Sequence, residues 1–198
     1  MLRALLLLLA LAASSGFAGG PPVRATHVAL YAQFDQTPPA AVVDALRSEL
    51  DSIMGPIGLD FEWRLVAENR GTESTANLAV VTFKGRCDVD SLPLRSSNPG
   101  ALGWTHISDG VIIPFTDLDC GGLRVFLGQE LLALRREDRE AALGRALGRV
   151  LAHELYHIFA NTKEHAADGV GKPEYSVTDL LCSRFHFGTR EVRELQMR

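Results

Sequence analysis

The chain has 198 residues, 46% hydrophobic and 22% charged, which suits one globular domain with its own core. Its formal net charge of −4 removes the electrostatic case for a nucleic-acid partner.

The first residues stand apart. Met1-Leu2-Arg3 carries one positive charge, Ala4 to Ala13 is an unbroken run of Leu and Ala, and small residues follow around Ser14-Ser15-Gly16-Phe17-Ala18. This three-part pattern predicts a secretory signal peptide over residues 1–18 and a single domain over residues 19–198, secreted or periplasmic. The apolar run is short for a bilayer and no other stretch could cross one, so no stable membrane span is expected once the signal is removed. In an oxidising compartment, Cys87, Cys120 and Cys182 read as disulfide partners before thiolate ligands. Cys87 and Cys120 flank one strand-rich segment and are the favoured pair. Cys182, in Asp179-Leu180-Leu181-Cys182, reads as a small buried hydrophobe.

After Pro21-Pro22, His27 to Gln33 predicts a strand. Pro38-Pro39 then opens a helix from about Ala40 to Ile53, with Val42, Val43, Leu46, Leu50 and Ile53 at helical spacing and Gly55-Pro56 as its stop. Phe61 to Val66 alternates as a second strand, and the more apolar Asn77 to Phe83 suits a central one. Arg86 to Gly103 reads as a loop. Leu102 to Phe115 predicts two short strands broken at Ser108-Asp109-Gly110, a hairpin signal. Leu123 to Leu134 is helical in part. From about Asp138 a long amphipathic helix runs through Ala142, Leu143, Ala146, Leu147, Val150, Leu151, Leu155 and Ile158. A final helix is expected with Thr189 as its cap. The predicted fold class is α+β: a mixed β-sheet backed by two helices, the second carrying the motif described next, with a short loop-rich C-terminal subdomain.

That motif is His153-Glu154-Leu155-Tyr156-His157, HExxH. Two histidines four residues apart share one helical face, one turn above the other, and can present two imidazole nitrogens to one ion. Glu154 is placed to act as general base on a water at the metal, then as general acid toward a leaving amine. A catalytic zinc keeps three protein ligands and leaves a position for water, so a third ligand is needed. His165 follows eight positions after His157. Asn161 tolerates the left-handed conformation that would end the helix and swing the chain back. Rivals for the third position are Glu164, Asp168, a common turn residue, and His186, which reads as a packed core histidine between Phe185 and Phe187.

His153-Glu154-x-x-His157, a helix break and a further histidine together resemble the metzincin zinc peptidases, whose pattern is HExxHxxGxxH. Here Ala160 stands where the glycine would be, Lys163 stands where the third histidine would be, and His165 gives HExxHxxxxxxxH. The resemblance implies a sheet whose edge strand lines the cleft and aligns an extended substrate, with that strand in the Leu102–Phe115 hairpin. It also implies a methionine turn beneath the metal, yet only Met197 follows His165. Tyr175 lies in the corresponding stretch, where some relatives carry a tyrosine near the zinc; as a residue on its own it reads equally as a surface aromatic. The expected activity is zinc-dependent hydrolysis of a peptide or protein substrate, with zinc on His153, His157 and His165 and Glu154 catalytic. The alternative is a secreted module that keeps the zinc for binding or structure, without turnover.

Overall fold

Residues 25–72, 74–94 and 100–197 are described by the computed structural model, and the signal expected over 1–18 lies outside them. Thr26–Phe34 forms β1, buried without a break from Val28 to Ala32 because it has neighbours on both sides. Leu59–Leu65 (β2) and Leu78–Lys84 (β3) flank it in parallel. Gly103–Ser108 (β4) and Val111–Asp119 (β5) form the expected hairpin, with Asp109 and Gly110 at positive φ in its turn. The sheet order is β2-β1-β3-β5-β4, parallel except for the antiparallel edge strand β4. The reading of a mixed sheet therefore holds, and Asn77 to Phe83 is central as its apolar content suggested.

Two readings change here. The second hairpin strand does not stop at Phe115 but continues to Asp119, pairing in parallel with β3. Cys120–Ala133 is a complete helix, α2, with the Asp119 carboxylate accepting from the backbone N–H of Gly122 at 2.8 Å. Counting Ala40–Met54 as α1, the motif helix Arg136–Phe159 is thus α3 in chain order. Gly121-Gly122 at its start weakened the helical signal of α2 in the sequence. Leu123, Leu127 and Leu131 nonetheless bury on the core side.

Helices α1 and α3 lie against the sheet through Val42, Leu46, Leu50, Leu143, Leu147 and Leu151. Their approach is close enough to need glycine. A Cβ on Gly144 would sit 2.3 Å from the Val42 carbonyl oxygen, and one on Gly148 would sit 2.8 Å from that of Leu46. Cys87 and Cys120 are disulfide-bonded as expected, tying the loop after β3 to the start of α2.

Beyond α3 the chain is loop-rich with two short helices, Val177–Leu181 (α4) and Thr189–Gln196 (α5). Ser176 and Asp179 form a capping box on α4, a helix the sequence reading missed for its brevity. Gly188, not Thr189, occupies the N-cap of α5, and no side chain caps it. Cys182 is half-buried, not fully so, with its thiol 3.3 Å from Nη1 of the fully buried Arg149. His186 is exposed, since the alternation around it sends Phe185 and Phe187 inward and the histidine out.

Candidate metal centre

Helix α3 carries His153, Glu154 and His157, each under a tenth exposed. It stops where the sequence suggested: Ala160 caps it and Asn161 takes φ 45°, the left-handed turn that reverses the chain. The Thr162 N–H closes the end by donating to the His157 carbonyl at 3.2 Å. The next residues bring His165 back over the helix, where its ring centroid lies 5.3 Å from that of His153 and 4.9 Å from that of His157. Arg190 of α5 holds the turn by donating to the His165 carbonyl at 3.1 Å. Ring nitrogens of His153, His157 and His165 all lie within 4.8 Å of one another. Among the described residues this is the group of three or more potential ligands close enough to share an ion. Glu164, Asp168 and His186 are exposed and outside it.

Hydrogen bonding fixes the tautomers. His153 Nδ1 faces the Val170 carbonyl and His157 Nδ1 faces the Thr162 carbonyl, both at 2.8 Å. A carbonyl only accepts, so each Nδ1 carries the proton and each neutral ring leaves Nε2 bare. Burial holds both rings neutral: desolvation pushes His153 down to about 4 and lowers His157 as well. The two bare Nε2 atoms then face each other at 3.0 Å. Two opposed lone pairs at that distance repel unless a cation lies between them. The donor set therefore fits a borderline nitrogen-seeking ion such as zinc, with three imidazoles and a position to spare.

Glu154 points to the edge strand. Thr105 Oγ1 of β4 donates to Glu154 Oε2 at 2.8 Å. Desolvation pushes the Glu154 carboxyl up to about 7, against the opposing effect of hydrogen bonds from the Thr105 hydroxyl and the Thr105 backbone N–H. Gly103 makes room for the carboxylate, since a Cβ there would lie 2.9 Å from Glu154 Oε1. Together these groups floor a cleft of about 610 Å³ walled by β4, by Phe126 of α2 and by Lys172 to Tyr175.

Tyr175 is no surface aromatic. Its ring lies 5.6 Å from that of His153, and its hydroxyl donates to the same Val170 carbonyl that orients His153. Met197 is 70% exposed at the end of α5, so it builds no methionine turn. The sequence reading missed Thr105, Gly103, Val170, Thr162 and Arg190. Three of these act through backbone atoms, or by lacking a side chain, and so leave no motif.

Neither sequence models of known families nor curated proteins match this chain. A solved structure does: archaemetzincin from Methanopyrus kandleri, at TM-score 0.50 and 15% sequence identity, over 89% of this chain and 97% of that one. The likeness is one of fold.

Proposed function

We propose that this chain is an exported zinc-dependent metallopeptidase of metzincin-like architecture. His153, His157 and His165 hold the zinc, and Glu154 is the general base and acid. The observation that carries the reading is the pair of bare Nε2 atoms 3.0 Å apart, with a third imidazole over them and a carboxylate beside them in one cleft. The archaemetzincin fold supports the class. The Cys87–Cys120 disulfide supports export, together with the signal-like residues 1–18.

A zinc ion held there supplies Lewis acidity, acidifying water and drawing charge from a peptide carbonyl. The protein does the rest. Among the described residues, strand β4 has a neighbour only on the β5 side, so its other edge offers backbone groups to an extended peptide. Thr105 engages Glu154 Oε2, so Glu154 takes a proton from water at Oε1 and returns it to the leaving amine. Val170 and Thr162 keep His153 and His157 oriented through Nδ1.

Metal analysis of the purified protein, with cleavage of a broad peptide library, tests this. Wild type is expected to hold one zinc and cleave, His153→Ala to lose the zinc, and Glu154→Gln to keep zinc without cleaving. A folded, metal-free wild type ends the reading, while zinc without cleavage assigns the protein to the binding or structural alternative.

A further inference from the structure

Helix α3 alone does not set the direction of the Glu154 side chain, because glutamate has three rotatable bonds and this one points away from its own helix toward β4. Both of its oxygens take their positions from that strand. Oε2 accepts the Thr105 hydroxyl at 2.8 Å, and Oε1 lies 2.9 Å from where a Cβ on Gly103 would stand. The Thr105 hydroxyl also sits 3.1 Å from the Glu154 carbonyl, but it has one proton to give. The shorter contact to a carboxylate takes it.

Thr105 is itself held on every side. It pairs across the ladder with Thr116, which is 1% exposed and whose hydroxyl donates to the carbonyl of Trp104, one residue before Thr105. One residue after it, His106 Nε2 meets Asp117 Oδ2 at 2.9 Å on the opposite face of the sheet. Between Thr105 and Ile107 the register shifts, because Thr105 pairs with Thr116 and Ile107 with Ile112. The extra length lies on β5 around Pro114, which cannot donate to the ladder. Irregularities of this kind re-aim side chains next to active sites.

We propose that Thr105 is the positioning residue for Glu154, fixing the carboxylate from the same edge strand on which a peptide would lie. The proposal rests on the peptidase reading for its kinetic consequence, though not for its structural one. Base and substrate then share one reference frame, so a peptide paired to β4 meets a carboxylate already set relative to its backbone. Thr105 lines the cleft, but its hydroxyl is engaged by the carboxylate. It acts through Glu154.

Thr105→Val keeps the shape and the backbone N–H but removes the hydroxyl donor, and Thr105→Ser keeps the hydroxyl. With zinc content and melting temperature verified for each, Thr105→Val is expected to lower kcat about tenfold or more with little change in KM, as a misdirected general base would. Thr105→Ser should restore most of it. Crystal structures supply the independent readout: one Glu154 rotamer in the wild type and in Thr105→Ser, and a displaced or multiple one in Thr105→Val. A Thr105→Val protein with wild-type kcat, or with Glu154 unmoved, overturns the proposal. Should the wild type cleave no peptide, the peptidase reading falls, and the rotamer comparison still decides whether Thr105 positions Glu154.

Discussion

Replacing Gly103 with alanine separates what holds the fold from what aims the base. The new Cβ would lie 2.9 Å from Glu154 Oε1, 3.0 Å from Glu154 Cγ and 3.0 Å from Val150 Cγ1. Contacts between such atoms relax at about 3.5 Å, so the carboxylate must retreat by roughly 0.5 Å. Most of the retreat falls on the flexible Glu154 side chain, and the stiffer Val150 must give by a few tenths of an ångström, so the cost stays small. The strand backbone meanwhile gains about 0.5–1 kcal/mol from losing a glycine's conformational freedom. Stability should therefore change by less than about 1 kcal/mol. Activity should not be spared. A misplacement of about 1 Å costs on the order of 10²-fold, so half of that predicts roughly a tenfold loss of kcat, or about 1.4 kcal/mol of barrier. Urea denaturation and peptidase kinetics on zinc-matched wild type and Gly103→Ala measure the two effects. A variant that loses more than about 2 kcal/mol of stability would show that strand and helix give way instead of the carboxylate. Wild-type kcat would show that the carboxylate position does not matter.

Gly144→Ala is the contrasting case, because its Cβ would fall 2.3 Å from the Val42 carbonyl oxygen and 2.7 Å from the Ala45 Cβ. Backbone cannot swing aside, so a loss of about 2–3 kcal/mol is expected in urea, with zinc-site residues untouched. Reducing the Cys87–Cys120 bond, which closes a sequence separation of 33, should cost about 3–4 kcal/mol by loop-closure entropy, read as a lower urea midpoint with reductant present. At Asp179, desolvation raises the carboxyl's pKa but hydrogen bonds from Lys172 and Ser176 outweigh it, leaving the folded value below the ordinary one. Such a group contributes stability that is full above its unfolded pKa, about 3.9, and is lost as pH falls through the folded value. The stability gap between wild type and Asp179→Asn should therefore narrow below about pH 4, and a gap constant from pH 7 to 3 refutes the assignment.

Legibility in the sequence tracked how local each signal was. Helix α1 announced itself because Pro39, the spacing of Val42, Leu46 and Leu50, and Gly55-Pro56 all lie within one stretch. His153 and His157 were readable because one helical turn brings their rings together without help from the rest of the chain. Asn161 was readable as a turn because its side chain suits a positive φ. The distance from Asn161 to His165 was harder, since closing that loop depends on Arg190 from a helix 25 residues further on. Thr105 was beyond reach. Its partner Glu154 lies 49 residues away, and a threonine in an alternating strand looks the same whether it faces a base or solvent. Helix α2 was blurred for another reason, since Gly121-Gly122 argues against a helix locally while Asp119 and the buried leucines enforce one.

The stripe Arg149, His153, His157 runs along one face of α3 at four-residue spacing, and its three side chains share a second task. Arg149 donates to the carbonyls of Asp179 and Cys182, His153 to that of Val170 and His157 to that of Thr162. The loop-rich segment after α3 has little regular structure to satisfy its own backbone, and this stripe supplies donors to it at four points. The proposed zinc ligands are thus also struts: Nε2 would serve the ion while Nδ1 holds the segment that carries His165. Removing His153 takes away a ligand and leaves the Val170 carbonyl to Tyr175 alone, so zinc loss in His153→Ala combines a missing donor with a less firmly held third-ligand segment. Glu154 belongs to a different face, with Val150 toward β4, and its side chain bonds to Thr105 instead. Its replacement by glutamine keeps the size and leaves the struts in place, which makes Glu154→Gln the cleaner way to separate binding from chemistry.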